Sequence, residues 1–199
     1  VALKLSQQSK NSIATSRAMG QSGRIFLQNS EIGKATIAFE QAQSVALSYR
    51  ALDLAYQWEW ELGKIYAKAG DTRAMSQYKA AVDNLNELRK NLIAINPDLQ
   101  FGFQTKVEPL YKEYLELLFK EKQPDLEEII KTNEKVQVTE LENYLQCSQL
   151  KVFSLLNLSP KESPDAAIYI IRLPKQYELI VRLKNGELIH RTANFTAVE

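Results

Sequence analysis

The run Trp58-Glu59-Trp60-Glu61-Leu62-Gly63-Lys64-Ile65-Tyr66-Ala67-Lys68-Ala69-Gly70-Asp71-Thr72-Arg73-Ala74 joins two amphipathic segments through one turn. Ala55, Trp58, Leu62, Ile65 and Ala69 step by three or four on the first segment. Ala74, Tyr78, Ala81, Leu85, Leu88, Leu92 and Ile95 keep that rhythm on the second. Such a period marks a helix buried along one side. Gly70-Asp71-Thr72 supplies the turn and the cap. Asn96-Pro97 ends the second segment, because a residue before proline is pushed out of the α region. The spacing predicts an antiparallel helix pair.

The pair repeats. Gly23 and Ile25-Phe26 recur as Gly63 and Ile65-Tyr66, a shift of 40, and Ala35, Phe39 and Ala42 recur as Ala74, Tyr78 and Ala81, a shift of 39. The one-residue difference falls between the two helices of the second unit, where a shorter turn absorbs it. A helix pair of this length cannot bury its apolar face alone, so neighbouring units must stack.

A third pair is expected beyond it. Thr105-Lys106-Val107-Glu108 reads as a capping box with Pro109 in the first turn, and Val107, Leu110, Tyr114, Leu117 and Leu118 form the stripe. After a turn at Gln123-Pro124-Asp125, Leu126, Ile129, Ile130, Val136, Leu141 and Leu145 carry a helix toward Cys147. The period then changes. Leu158 to Asp165 is a polar boundary with two prolines, and Ala166 to Leu173 reads as a strand buried on both faces. Tyr177, Leu179, Val181 and Leu183 alternate with Glu178 and Arg182. Asn185-Gly186 predicts a two-residue type I′ hairpin turn, which places Lys184 opposite Glu187, Leu183 opposite Leu188 and Val181 opposite His190.

Composition removes several classes of function. The chain has 199 residues and a formal net charge of +1, without the basic excess of a nucleic-acid binder. No apolar run reaches membrane-spanning length. A single Cys and a single His leave nothing for a thiolate zinc site or an internal disulfide. No Gly-rich phosphate loop is present, and no cofactor or metal is expected. Cys147 and His190 are the one pair to consider for a cysteine-peptidase dyad, but in caspase-type enzymes the His precedes the Cys, and here it follows. They read instead as a helix-packed thiol and a sheet-edge imidazole.

Gly23, Phe26, Ala35, Phe39 and Ala42 stand at the Gly, Tyr, Ala, Phe and Ala spacing of a tetratricopeptide (TPR) repeat, and Tyr56 to Tyr66 resembles a second unit. Ala94-Ile95-Asn96-Pro97-Asp98-Leu99-Gln100-Phe101, followed by Val107-Glu108-Pro109-Leu110-Tyr111, resembles the tract after the TPRs of bacterial, above all cyanobacterial, CHAT proteins. CHAT denotes a caspase-like peptidase domain associated with TPRs, and residues from about Asp165 resemble its first strands. The resemblance implies a mainly α fold: a TPR-like antiparallel helix-pair superhelix with a C-terminal three-stranded antiparallel β segment. It divides the chain into TPR-like repeats (1–103), an additional helix pair (104–158) and the opening strands of a truncated CHAT domain (159–199). The chain then reads as a piece of a longer cytoplasmic protein. It would recruit a partner to, or regulate, a caspase-like peptidase whose catalytic residues lie beyond Glu199. The alternative is a structural or oligomerisation scaffold attached to an inactive CHAT domain.

Trp58 and Trp60 are two positions apart, about 200° around a helix, so they cannot share a face. Trp58 joins the apolar stripe. In TPR register, Arg17, Arg24, Gln57, Trp60 and Lys64 line the concave groove and would contact a protein or peptide ligand, with acidic or C-terminal carboxylate groups preferred. The same residues also fit an ordinary solvated helix face with a half-buried Trp60. The unfinished sheet, with two open edges, is expected to lean on the helix near Leu145 to Leu158 or to self-associate.

Overall fold

The computed structural model describes residues 12–95, 101–145, 150, 154–159, 161–162, 164–174 and 176–194, with the backbone alone at 91–95, 101–107, 143 and 194. In order these form α1 (Ser12–Gln28), α2 (Ile32–Ser48), α3 (Leu52–Ala69), α4 (Arg73–Ile95), α5 (Phe101–Lys120), α6 (Leu126–Leu145), a 3-10 turn (Leu155–Asn157), β1 (Ala166–Arg172), β2 (Gln176–Leu183) and β3 (Leu188–Asn194). The chain is mainly helical with one small antiparallel sheet. It separates into two compact units between Asn96 and Pro97. Position 103 lies within α5, and the strands share their unit with α5 and α6.

In the first unit each helix packs on the next, and α1 also touches α3. Two contacts repeat. The Phe39 ring of α2 lies on Gly23 of α1, so close that a Cβ there would sit 2.8 Å from it. Tyr78 of α4 lies on Gly63 of α3 in the same way, at 2.9 Å. Phe39 and Tyr78 are both buried, as are Ala35, Ala42, Ala74 and Ala81, so the positions that recur in sequence occupy equivalent surroundings. Trp58 is fully buried, stacks on Phe39 at 5.9 Å and donates from Nε1 to Ser16 Oγ at 3.2 Å. Its ring takes up the space beside Gly20, where a Cβ would meet it at 2.3 Å. Gly70 closes α3 in the left-handed region at φ 68°, and Asp71 Oδ1 accepts from the Arg73 N–H at 2.9 Å. Ala69, expected on the α3 stripe, is exposed in the last turn of the helix, as are Ala67 and Lys68.

In the second unit α5 packs on α6, and β1, β2 and β3 follow one another across an antiparallel sheet. Several expectations are corrected here. Helix α5 begins at Phe101 and carries Pro109 inside it, so Thr105 to Glu108 is not a helix start. A proline removes one N–H and crowds one carbonyl, which a helix with enough packing tolerates. Leu110, Tyr111, Tyr114, Leu115 and Leu118 form its buried side, and Leu117 is only half-buried. On α6, Ile129, Ile130 and Val136 are buried, but Leu141 and Leu145 are exposed, 46% and 51%. Five positions beyond Val136 is about 140° away from it around the helix. Thr132, Asn133, Thr139 and Glu142 take the inward places.

The sheet departs furthest from expectation. Strand β1 is not buried on both faces: Ile168 and Ile170 are 64% and 60% exposed, and Ile171 alone of its residues is fully covered. Strand β2 buries Glu178, Ile180 and Arg182, while Tyr177, Leu179, Val181 and Leu183 are half-exposed. The hairpin is not type I′, since Asn185 does not take positive φ and Gly186 does, at 88°. Gly186 N–H donates to the Leu183 carbonyl and Leu183 N–H to the Glu187 carbonyl, a three-residue loop with a glycine bulge. The added residue slips the register by one. Val181 stands opposite Ile189, and His190 stands opposite Ile180.

Candidate functional site

Helices α1 and α3 carry the five expected residues, and side-chain contacts join Arg24, Gln57, Trp60 and Lys64 through Glu61, while Arg17 meets Asp53. Arg24 Nη2 donates to Gln57 Oε1 at 3.3 Å, and its Nε lies 3.4 Å from Glu61 Oε1. Lys64 Nζ lies 2.7 Å from Glu61 Oε2 and 4.6 Å from the centre of the Trp60 ring. Arg17 pairs loosely with Asp53 at 3.8 Å. The Arg24 guanidinium also covers the Trp58 ring at 5.2 Å, which ties this surface to the core beneath it. Trp60 is half-buried, on the side of α3 away from Trp58, as their separation requires.

The charge differs from a simple cationic patch. Asp53 and Glu61, which sequence reading left out of the site, lie among Arg17, Arg24 and Lys64. A carboxylate ligand must therefore draw Arg24 and Lys64 from Glu61, a competition between like partners. Their spacing was the available signal: Gln57, Glu61 and Lys64 follow one another at helical steps of four and three. Near the same face Tyr56 is buried, and burial pushes its phenol up from its ordinary value, with Asp53 adding to this and Arg24 opposing it.

On another side of α3 lies a second polar group. Glu59, 1% exposed, accepts from Asn84 Nδ2 of α4 at 2.8 and 2.9 Å and from Gln43 Nε2 of α2 at 3.5 Å. Gln43 also donates to Gln77 Oε1 at 3.1 Å. Burial pushes the Glu59 carboxyl above its usual range, while the Asn84 and Gln43 hydrogen bonds pull it back. Nothing in the Trp-Glu-Trp sequence marks Glu59 as interior. Its burial follows from α3 packing against α2 and α4 at once.

In the second unit the slipped register gives His190 a partner. Its Nε2 lies 2.7 Å from Glu178 Oε2, which also accepts from Thr192 Oγ1 at 2.8 Å, and Gln176 Nε2 donates to Glu178 Oε1. The Phe119 ring of α5 lies 5.2 Å from the imidazole. This cluster satisfies a buried carboxylate, and among the described residues no hydroxyl or thiol nucleophile is held on the histidine. Cys147, the other half of the dyad considered from sequence, lies outside the described residues. Among the described residues no group of three or more His, Cys, Asp or Glu is placed to hold a metal ion, and no helix is long and apolar enough to cross a membrane.

Comparison with protein-family models, with curated proteins and with solved structures finds no match.

Proposed function

We propose that residues 12–95 are a TPR-type recognition module that binds a protein or peptide segment across the face shared by α1 and α3. The chain then works as the interaction region of a TPR–CHAT protein, recruiting a partner to, or restraining, an attached caspase-like peptidase. The supporting observation is the repeated glycine–aromatic contact, Gly23 with Phe39 and Gly63 with Tyr78. It supports reading α1 and α3 as the first helices of two successive units, the position from which a TPR superhelix addresses its ligand. Arg17, Arg24, Gln57, Trp60 and Lys64 all belong to those two helices, and the aromatic and arginine content suits an interface.

The ligand class follows from Asp53 and Glu61. A peptide ending in a free carboxylate, with an apolar side chain to lie on Trp60, replaces Glu61 as the acceptor for Arg24 and Lys64. Because each cation already has a partner, the gain is modest and salt-sensitive. The test is titration of a library of free-carboxylate and C-terminally amidated peptides. Tight binders are expected among the carboxylates, Trp60→Ala with Lys64→Ala removes binding, and Glu61→Gln raises affinity about threefold or more by freeing two cations. Binding unchanged by the double substitution ends the proposal. The attached peptidase is tested separately, by reading the native coding sequence past Glu199 for a His and then a Cys after successive strands.

A further inference from the structure

The two faces of the sheet are built from different materials. One is covered and holds Ile171, Glu178, Ile180 and Arg182. The other is open. By the pairing register it consists of four cross-strand rows: Ala166, Leu183 and Glu187; Ile168, Val181 and Ile189; Ile170, Leu179 and Arg191; Arg172, Tyr177 and Ala193. Ile168 and Ile170 are more than half exposed, and Leu179, Val181, Leu183 and Ile189 are half-exposed. A contiguous, largely apolar face left to water marks an interaction surface.

The charges on this face specify its occupant. Glu187, just before β3, and Arg191 within it lie two residues on either side of Ile189, both exposed, while the third charge of the face, Arg172, stands in the end row. Glu187 receives a side-chain contact from Asn185 at 3.5 Å, and Arg191 donates to the His190 carbonyl at 2.7 Å. Rotation by 180° about an axis in the plane of the sheet, perpendicular to the strands and passing over the row Ile168–Val181–Ile189, reverses the strand direction and keeps each strand over its own copy. Ile168, Val181 and Ile189 then meet themselves. Leu183 meets Leu179, Ala166 meets Ile170, and Glu187 meets Arg191 twice. A two-fold axis parallel to the strands instead sets Ile189 against Ile168 and leaves Glu187 and Arg191 opposite uncharged residues.

We propose that this open face is a homodimer interface, with two copies of the chain packed sheet on sheet about that perpendicular two-fold axis. Aligned sheets about 10 Å apart place apolar side chains in contact and leave the Glu187–Arg191 pairs within reach at the rim. Self-complementarity of one patch is the requirement for an isologous contact, and this patch meets it. Three strands of about seven residues present a face roughly 14 Å by 23 Å, small for a permanent interface, so the dimer is weak and forms in the tens of micromolar. It is independent of the α1 and α3 recognition surface.

Sedimentation velocity on the full chain, from about one to several hundred micromolar, tests it. The expected result is a concentration-dependent monomer–dimer equilibrium. Ile168→Lys, at an exposed position, leaves the far-ultraviolet circular dichroism unchanged and weakens dimerisation at least about tenfold. Glu187→Arg and Arg191→Glu each weaken it about fivefold or more, and the double exchange restores it to within about threefold of wild type. A monomer throughout the range overturns the proposal. So does association that persists in Ile168→Lys, as edge-to-edge strand pairing gives, or an exchange that fails to restore it. Should Ile168→Lys lose its fold, the exchange series at the two rim charges decides alone.

Discussion

The units at residues 12–95 and 101–194 both bury an apolar interior, but they differ in how closely it is packed by shape and in how many polar groups it admits. The first unit excludes water by shape: rings of Phe39, Trp58 and Tyr78 fill the places where Gly23, Gly20 and Gly63 lack a side chain. Its interior polar groups, Ser16 and Glu59, are each held by partners. The second unit places Thr132, Asn133, Thr139, Glu142, Glu178 and Arg182 inside, and leaves Ile168 and Ile170 outside. A shape-based interior depends on volume, and each methyl group added or removed is felt. The second unit also has an apolar interior, around Leu110, Tyr114, Ile129 and Ile180, but it admits polar groups among them, of which Glu178 is held by His190 and Thr192.

Changes in the first unit give the largest effects. Trp58→Ala removes the largest fully buried side chain, together with its bond to Ser16, and should cost about 3–5 kcal/mol by urea unfolding. Both tryptophans of the chain lie in α3, so the fluorescence of Trp60, retained in this variant, follows unfolding of the first unit. Gly23→Ala and Gly63→Ala test whether the two repeats are equivalent. Each forces a ring to move by a few tenths of an ångström or more, at about 1–3 kcal/mol, and the two values should agree within about 1 kcal/mol. A large disparity means that the repeats share sequence without sharing mechanics.

The second unit responds to lost partners instead. Glu178→Gln keeps one acceptor but turns an amide N–H₂ toward groups that donate, and should destabilise β3 by about 1–2 kcal/mol. Hydrogen exchange should show faster opening at residues 188–194 with residues 12–95 unaffected, and uniform protection would mean that the cluster contributes little. The smallest effect concerns pH. Since burial raises the Glu59 carboxyl, the folded protein holds that proton more tightly than the unfolded chain does. Its contribution is full below the unfolded carboxylate value and is lost as pH rises through the higher folded value. Glu59→Gln should flatten this slope, so thermal melts from acid to neutral pH should show wild type losing ground to the variant by about 1 kcal/mol or less. An identical pH profile would show that Asn84 and Gln43 fully offset the burial.

Much of the first unit was legible because its signals are local. The three- and four-residue steps of Ala74, Tyr78, Ala81 and Leu85 arise from helix geometry itself, and they match the observed burial. The 39- and 40-residue shifts marked Gly23 and Gly63, and Phe39 and Tyr78, as equivalent positions, but that each ring lies on its glycine is visible only in the fold. The same register placed Arg17, Arg24, Gln57, Trp60 and Lys64 on α1 and α3, whereas the pairing of Glu61 and Asp53 with them depends on what α1 brings to α3.

The chain by itself determined the helix periods, the repeat, the boundary before the strands and the separate faces of Trp58 and Trp60, since each follows from the fixed pitch of a backbone. Tertiary structure decided which face of β2 turns inward, where His190 points and what encloses Glu59. A strand's side chains alternate with a period of two, so one bulge residue at Gly186 sends every side chain of β3 to the other side relative to its partner. Alternation shows that a strand has two different faces; only the helices packed against it select the one that is buried.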